Sequence, residues 1–303
     1  MLQKKYDIVL LTQREYVDPL PGNNYTDNIL LEDKLLINEL KQCGLKVIRK
    51  SWDDPDFDWS STSYALFRAT WDYFHRFEEF NSWLNNTAKL TCFINSYSLI
   101  QENIDKRYLQ TLQQKDINIP PTLFLDRNES RTLQKLLEMT GWERAILKPA
   151  IAGGARHTYL IDYDNVDEYQ SIFAQLNAQE NMLLQQFQEQ IATKGEVSFI
   201  VFGGTYSHAV LKKVKEGDFR VQDDFGGTVH PYIASEQERS FVEKIIEQLK
   251  CIPVYARVDV MWDNNNNLCL SELEMLEPEL WLRIDKNAAK SMSTAIYNHI
   301  NIK

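Results

Sequence analysis

Two stretches of this 303-residue chain have residue types and spacing suited to chemistry on a phosphate. The run from Ile146 to Thr158 sets Lys148 at the end of an apolar stretch and Gly153 and Gly154 in the loop beyond it. A lysine so placed can hold its ammonium against a polyphosphate, while glycines let backbone N–H groups approach phosphate oxygens closely. The run is not a Walker A loop, because Gly-Lys-Ser/Thr is missing. Taken alone, it reads equally well as a lysine that precedes a surface loop. The second stretch pairs Arg257-Val-Asp259 with Ser271-Glu-Leu-Glu274 across a turn of asparagines. Alternation along a strand puts Glu272 and Glu274 on one face, and a hairpin brings Asp259 opposite them. Three carboxylates on one face repel one another unless a cation neutralises them, and magnesium prefers such oxygen ligands. A solvated acidic sheet face is the plainer alternative. It fits less well, since Val258, Val260 and Leu273 interleave with the carboxylates and give these strands an apolar face to bury.

Weaker signals lie between and before these poles. Gln185, Gln186 and Phe187 form a strand-like run, Glu196 follows a glycine, and Arg220 precedes the pair Gly226 and Gly227. An arginine beside a glycine pair can clamp a phosphate or carboxylate with its bidentate fork. Lys212 falls on the next strand, where a solvated lysine is as good a reading as one facing phosphates. Arg68, Trp71, Asp72 and Tyr73 fall in the loop after an apolar run, at the carboxyl edge where parallel sheets bind ligands, or else form an aromatic plug between domains. The histidines His75, His157, His208, His230 and His299 lack metal-ligand spacing, and only His157 lies within a candidate loop.

The elements that position these residues follow from periodicity and punctuation. Residues 6–12 read as a buried parallel strand, 27–42 as a helix with one apolar face closed by Gly44, and 45–48 and 64–67 as further strands of a βαβ unit. Helical spacing recurs at 103–115, 130–139 and 236–249. Strands are expected at 119–125, 145–148, 182–187, 196–202, 207–214, 254–262 and 268–273, with Gly203-Gly204 marking a hairpin. The fold class is therefore mixed α/β and α+β. The domains are expected at 1–100 (parallel α/β), 101–190 and 191–303, the last carrying the acidic hairpin.

Composition bounds the function. A 44% hydrophobic and 25% charged chain can bury a real core. A formal charge of -10 disfavours nucleic acid and anionic lipid as partners. No stretch approaches the roughly 20 apolar residues of a membrane span or the core of a signal peptide. The cysteines Cys43, Cys92, Cys251 and Cys269 are scattered, as reduced thiols in a core would be, so a cytoplasmic protein is expected.

In order, these motifs resemble the ATP-grasp superfamily: a lysine before a glycine loop, Gln-Gln-Phe, Gly-Glu, Phe-Arg then Gly-Gly, Arg-Val-Asp, and Glu-Leu-Glu-x-x-Glu-Pro. Within it the chain is most similar to the glutathione-synthetase-like ATP-binding domain and, by look, to the O-ureido-serine cyclo-ligase branch of cycloserine biosynthesis. The resemblance covers residues 100–285, with weaker echoes at Ser51-Trp-Asp-Asp-Pro and Arg68 to Tyr73. It implies an ATP-grasp fold behind an N-terminal parallel α/β domain and an ATP-dependent, ADP-forming carboxylate-amine or cyclising ligase. Such an enzyme acts on a small amino acid or peptide through an acyl phosphate. The resemblance implies ATP and Mg²⁺, two ions, as cofactors. By the same resemblance Lys106 and Lys148 touch phosphates, and Gly153 and Gly154 form the lid. Gln185, Gln186 and Phe187 meet adenine, Glu196 meets ribose, and Asp259, Glu272 and Glu274 bind magnesium. Arg220, with Gly226 and Gly227, grips the transferred phosphoryl or acyl phosphate. Arginine 220 and Lys148 are the catalytic pair, and Arg68 to Tyr73 face the acceptor. Partners are small carboxylate and amine substrates, with a homodimer as one expectation. The alternatives are an ATP-grasp kinase, a ligase that modifies a protein tail, and a nucleotide-binding regulatory module without turnover.

Overall fold

A computed structural model describes residues 4–20, 22–215 and 226–301. The first of three sheets is parallel, in the order β2-β1-β3-β4, from β1 (Tyr6–Thr12), β2 (Val47–Ser51), β3 (Thr62–Phe67) and β4 (Cys92–Ile94). The Ile8 to Leu11 run is continuous rather than alternating because both faces of β1 are covered. Ile8 and Leu10 pack with Leu36 and Leu40 of α1 (Asn24–Gln42), and Val9 and Leu11 pack with Trp52, Phe67 and Phe80. Helix α1 starts a turn earlier than the spacing suggests, because the Asn23 side chain accepts the Tyr25 N–H and caps it.

Helix α2 (Phe77–Thr87) covers the same sheet. The helix expected over 103–115 is instead two, α3 (Tyr97–Asn103) and α4 (Tyr108–Gln113). Between them the Lys106 N–H donates to the Ala150 carbonyl at 2.9 Å, which ties this break to the glycine loop.

The second sheet is antiparallel, in the order β5-β8-β6-β7, from β5 (Thr122–Leu125), β6 (Arg144–Pro149), β7 (Tyr159–Asp162) and β8 (Met182–Gln186). Its outer face is covered by α5 (Leu133–Thr140) and α6 (Val166–Gln179), through Leu137 and Phe173 against Ala145, Leu147 and Leu184. A short α7 (Gln190–Lys194) leads into the third sheet. That sheet is also antiparallel, in the order β11-β10-β9-β12-β13, from β9 (Glu196–Phe202), β10 (Thr205–Lys213), β11 (Thr228–Tyr232), β12 (Tyr255–Trp262) and β13 (Leu268–Glu274). One of its faces buries Val258, Val260 and Leu273 against Val242 and Ile245 of α8 (Glu236–Glu247). A capping box of Ser235 and Glu238 starts α8.

Helix α9 (Ala288–Asn301) returns to the first domain. Its Met292 and Ile296 pack with Leu36 and Leu40 of α1 and with Ile200 and Phe202 of β9. Helices α2, α6 and α9 are elements that the patterning above does not anticipate. The cysteines also differ from expectation: all four are free thiols, but only Cys269 is buried, while Cys43, Cys92 and Cys251 are exposed. Among the described residues no helix is long and apolar enough to cross a membrane.

Candidate active site

The second and third sheets and the loops at the end of the first enclose a cavity of about 1400 Å³. Its floor is the polar face of the third sheet. Strand register places Lys212 opposite Glu196, Asp259 opposite both Ser198 and Glu272, and Arg257 opposite Glu274. All five of the ionisable groups that sequence reasoning assigned to this floor, Glu196, Lys212, Asp259, Glu272 and Glu274, line the cavity.

These charges are already paired. Asp259 is 2% exposed, accepts from the Ser198 hydroxyl and holds the Arg257 guanidinium by contacts of 2.9–3.1 Å. Lys212 bridges Glu196 and, at 3.5 Å, Asp259. Arg257 also reaches Glu274 at 3.0 Å, and Lys106 reaches Glu272 at 2.9 Å. Burial pushes the Asp259 carboxyl up, but Arg257 and Lys212 outweigh it and the net shift is downward. Glu272 is lowered in the same way, with Lys106 and then Lys148 outweighing burial. Glu274 is pushed up to about 7, by burial first, against the pull of Arg257. Glu277 is raised well above the carboxylate range by burial and by Glu274.

The three carboxylates expected as magnesium ligands thus share one face and one cavity, yet each faces a cation. Among the described residues, no three His, Cys, Asp or Glu side chains are gathered closely enough to hold a metal as they stand. The donor set nonetheless suits a hard cation. Glu196, Asp259, Glu272, Glu274 and Glu277 are all oxygen donors, and Glu274 and Glu277 are raised first by burial and further by neighbouring carboxylates, an environment that a hard cation would relieve.

The roof is the second sheet. Lys148 on β6 donates to Gln185 Oε1 on β8 at 3.2 Å, and the Gln185 amide N–H donates to Thr122 Oγ1 at 2.9 Å. Burial pushes the Lys148 ammonium down, with Glu272 opposing. Between the sheets, Phe187 and Ile191 pack with Ile146, Leu160, Val214 and Met261 as an apolar cluster, of which Ile146, Ile191 and Met261 line the cavity; Phe187 does not, and its ring is covered by the Arg144 guanidinium at 4.5 Å. Gln186 does not line the cavity; it pairs with Ala145, and its N–H donates to the Pro121 carbonyl.

The glycine loop closes over this space. Lys106 Nζ donates to the Ala152 carbonyl, and Arg156 clasps Glu180 at 2.8 and 3.0 Å. Gly153 lies so near Phe74 that a Cβ there would stand 2.6 Å from the ring edge, and Gly154 has a φ of +54°.

The loop after β3 divides. Trp71 and Asp72 line the cavity, whereas Arg68 and Tyr73 do not, contrary to the expectation that all four face an acceptor. Arg68 is 5% exposed and points to Glu32 at 3.7 Å and Asp33 at 3.5 Å on α1. Glu32 also accepts the backbone N–H groups of Leu282 and Arg283, so this cluster fastens the segment bearing Glu277 to α1. Tyr73 is buried against Phe74 and Phe80. Gly226 packs beside Lys215, and neither it nor Gly227 lines the cavity. Arg220 lies outside the described residues.

Among the lining residues that sequence reasoning did not assign are Ser271, Arg257 and Glu277. Ser271 should alternate away from Glu272, but a register shift between Asp259 and Val260 leaves it as the extra residue of a bulge, and its hydroxyl donates to Glu196 at 2.6 Å. Arg257 was legible from its two-residue spacing to Asp259. Glu277 follows the end of β13, where alternation gives no signal.

Residues 8–95 match the N-terminal domain family of D-cycloserine synthetase DcsG, and residues 104–294 match the RimK-like ATP-grasp domain. The cycloserine biosynthesis protein DcsG of Streptomyces lavendulae is 24% identical over 279 residues, covering 86% of this chain and 91% of that one. The crystal structure of D-cycloserine synthetase DcsG superposes with a TM-score of 0.86 at 21% identity, over 97% of this chain and 99% of that one. A RimK domain ATP-grasp protein from Sphaerobacter thermophilus superposes at 0.69 with 16% identity, over 95% and 98% of the two chains. More than half of the chain falls within the RimK-like match, and the protein belongs to the RimK-like ATP-grasp family, whose members are ATP-dependent ligases.

Proposed function

We propose that this ATP-grasp ligase joins a carboxylate to an amine, within one molecule or between two, by way of an acyl phosphate, and that its substrate is a small amino acid or a short peptide. One observation carries the reading: a single cavity between two antiparallel sheets sets Lys148 on its roof above the acidic floor of Glu272 and Glu274. The relative named for cycloserine biosynthesis supports a small, amino-acid-like substrate. The proposed boundaries at residues 100 and 190 follow the sheets, since β4 ends at Ile94 and β9 starts at Glu196.

In this reading a substrate carboxylate attacks the γ-phosphate of ATP, ADP leaves, and an amine then displaces phosphate. The protein positions the reactants and offsets charge, and needs no side-chain nucleophile. The apolar lining of Ile146, Ile191 and Met261 suits the adenine ring, and Phe187 and Glu196 are assigned to adenine and the ribose hydroxyls by resemblance alone. Lys106 and Lys148 hold phosphates, with Gly153 and Gly154 above them. Arg220, Gly226 and Gly227 are assigned to the phosphoryl acceptor side by resemblance alone. Asp259, Glu272 and Glu274 would hold magnesium, proposed as two ions, which supplies charge neutralisation at the phosphates.

The test is ADP release from Mg-ATP across a pool of amino acids and dipeptides. Substrate-dependent ADP with a new amide or ring in the product supports the ligase reading. A phosphorylated product would make the protein a kinase, and tight ATP binding with no ADP from any pool would leave a nucleotide-binding module.

A further inference from the structure

Among the described residues, one buried carboxylate of the cavity has no partner. Glu277 is 5% exposed and lines the cavity, yet its side chain makes no ion pair and accepts no hydrogen bond. The acids near it are satisfied. Lys106 and Arg257 hold Glu272 and Glu274, Asp53 and Asp72 share Arg76 at 3.1 and 2.5 Å, and Glu279 holds Arg283 at 2.8 Å. A buried carboxylate left alone costs free energy, and such a group persists where a ligand supplies the partner that the protein does not.

The backbone fixes Glu277 without help from a ligand. The Trp71 indole N–H donates to the Glu277 carbonyl at 2.9 Å, the Tyr255 hydroxyl donates to the Leu276 carbonyl at 2.7 Å, and the Met275 N–H donates to Asn103 Oδ1 at 2.6 Å. Pro278 follows and restricts Glu277 to extended conformations. Its place along the floor can be read from β12, where Arg257, Asp259 and Met261 line the cavity over about 13 Å at roughly 3.3 Å per residue. Met261 packs with Ile191 at one end. Arg257 lies at the other end opposite Glu274, and Glu277 follows Glu274 by three residues. The unpaired carboxylate therefore stands at the end of the floor away from the apolar lining, past the Lys106–Glu272 pair.

We propose that Glu277 binds a free ammonium group of the substrate and so selects amino acids or peptides whose amino group is unblocked. The inference rests on the ligase reading for what lies at this end of the cavity, the substrate beyond the nucleotide phosphates. A carboxylate and an ammonium make a charge-assisted hydrogen bond, about twice as strong as a neutral one. Burial first, and then Glu274, raises the Glu277 carboxyl, and an ammonium beside it favours the ionised form. Magnesium suits this position less. It takes several oxygen ligands at once, and the neighbouring Glu274 and Glu279 are held by Arg257 and Arg283.

The experiment compares alanine of either hand with isobutyrate, the isostere that carries a methyl group in place of the ammonium. Both are titrated into the full chain by ligand-observed NMR, with and without Mg-ADP, and Mg-ATP affinity is measured separately by calorimetry. At least one hand of alanine should bind about tenfold tighter than isobutyrate. Glu277→Gln keeps the shape and removes the charge, so it should abolish that preference, whereas Glu277→Asp should keep part of it. Both variants should bind Mg-ATP as the parent does, which shows that they are folded and that the metal is not what was lost. Equal or undetectable binding of the two probes by the parent, or a preference that survives Glu277→Gln, overturns the proposal. A loss of Mg-ATP affinity in Glu277→Gln makes Glu277 a metal ligand or a structural support and also overturns it. Substrate-dependent ADP release without an alanine preference removes the ammonium site and leaves the ligase reading standing. An alanine preference that Glu277→Gln abolishes, with no ADP released from any amino-acid or dipeptide pool, supports the ammonium site and removes the ligase reading.

Discussion

Replacement of Lys148 by Met separates stability from function in this site. The only hydrogen-bond partner of Lys148 among the described residues is the neutral Gln185 Oε1 at 3.2 Å, and burial pushes its ammonium below the usual lysine range. The folded protein therefore holds this charge at a cost. By linkage, a lysine with a depressed folded value contributes full stability only above its unfolded value of about 10.4, and that contribution is lost as pH falls through the folded value, below which the charge is held at a cost. Methionine keeps the length and removes the charge, so the melting temperature at pH 7.5 without nucleotide should stay the same or rise by a few degrees. ATP affinity should fall. A unit pair at 4 Å is worth about 4 kcal/mol at an effective dielectric of 20, and desolvation leaves about 2–3 kcal/mol, roughly 30- to 150-fold in Kd. Scanning fluorimetry and ATP calorimetry on the same samples read both numbers. A variant that melts lower while binding ATP normally would show that Lys148 is a structural residue and that the phosphate role is wrong.

Glu272→Gln keeps an acceptor for Lys106 but removes a negative charge from the floor, so ADP release should drop by about 10²–10³ while circular dichroism stays unchanged; activity within twofold of the parent would place the metal elsewhere. Gly153→Ala should disturb the loop, because its Cβ would stand 2.6 Å from the Phe74 ring. An overpacking cost of about 1–3 kcal/mol predicts weaker ATP binding, partly restored by Phe74→Leu; an unaffected single variant counts against this packing. His208 is buried, donates its Nε2–H to the Leu280 carbonyl at 2.9 Å, and is held below its ordinary value by burial. Its contribution to stability is present above about pH 6.5 and is lost as pH falls through the lowered value. The melting temperature should therefore fall on acidification, and less steeply in His208→Gln; identical slopes would exclude His208 as the cause.

The floor of the site was largely legible because it obeys strand alternation. Glu272 and Glu274 two apart, and the apolar Val258, Val260 and Leu273 between the charges, specify which face is buried before any partner is known. The exception, Ser271, enters the cavity through a bulge, and a one-residue shift is invisible in a pattern whose period is two. Arg68 was misplaced for a different reason. The edge of a parallel sheet locates a ligand crevice, but not which loop side chain turns toward it. The signal that could have corrected it lies on α1, where Glu32 and Asp33 fall between Ile29 and Leu36 on the buried stripe. Acidic residues at core positions of a helix require buried cations, and Arg68, Arg49 and Arg283 supply them. Helix α6 escaped notice because its apolar stripe is thin, with Val166, Phe173 and Leu176 the only buried hydrophobic residues in fourteen.

The net charge of -10 raises the question of how an acidic protein accommodates a polyphosphate in the proposed role. Total charge is a poor guide, because the cavity has its own balance: the cations Lys106, Lys212 and Arg257 are each spent on a floor carboxylate, whereas Lys148, among the described residues, makes no ion pair and donates to the neutral Gln185. A phosphate that takes up Lys106 must draw it from Glu272, which then carries an uncompensated charge beside Glu274. In the low dielectric of that floor such a charge is costly unless a second cation enters with the nucleotide. The ion pairs thus hold the floor together, and in the proposed role their exchange for ligand contacts lets a carboxylate-rich floor face a lysine-bearing roof across one cavity.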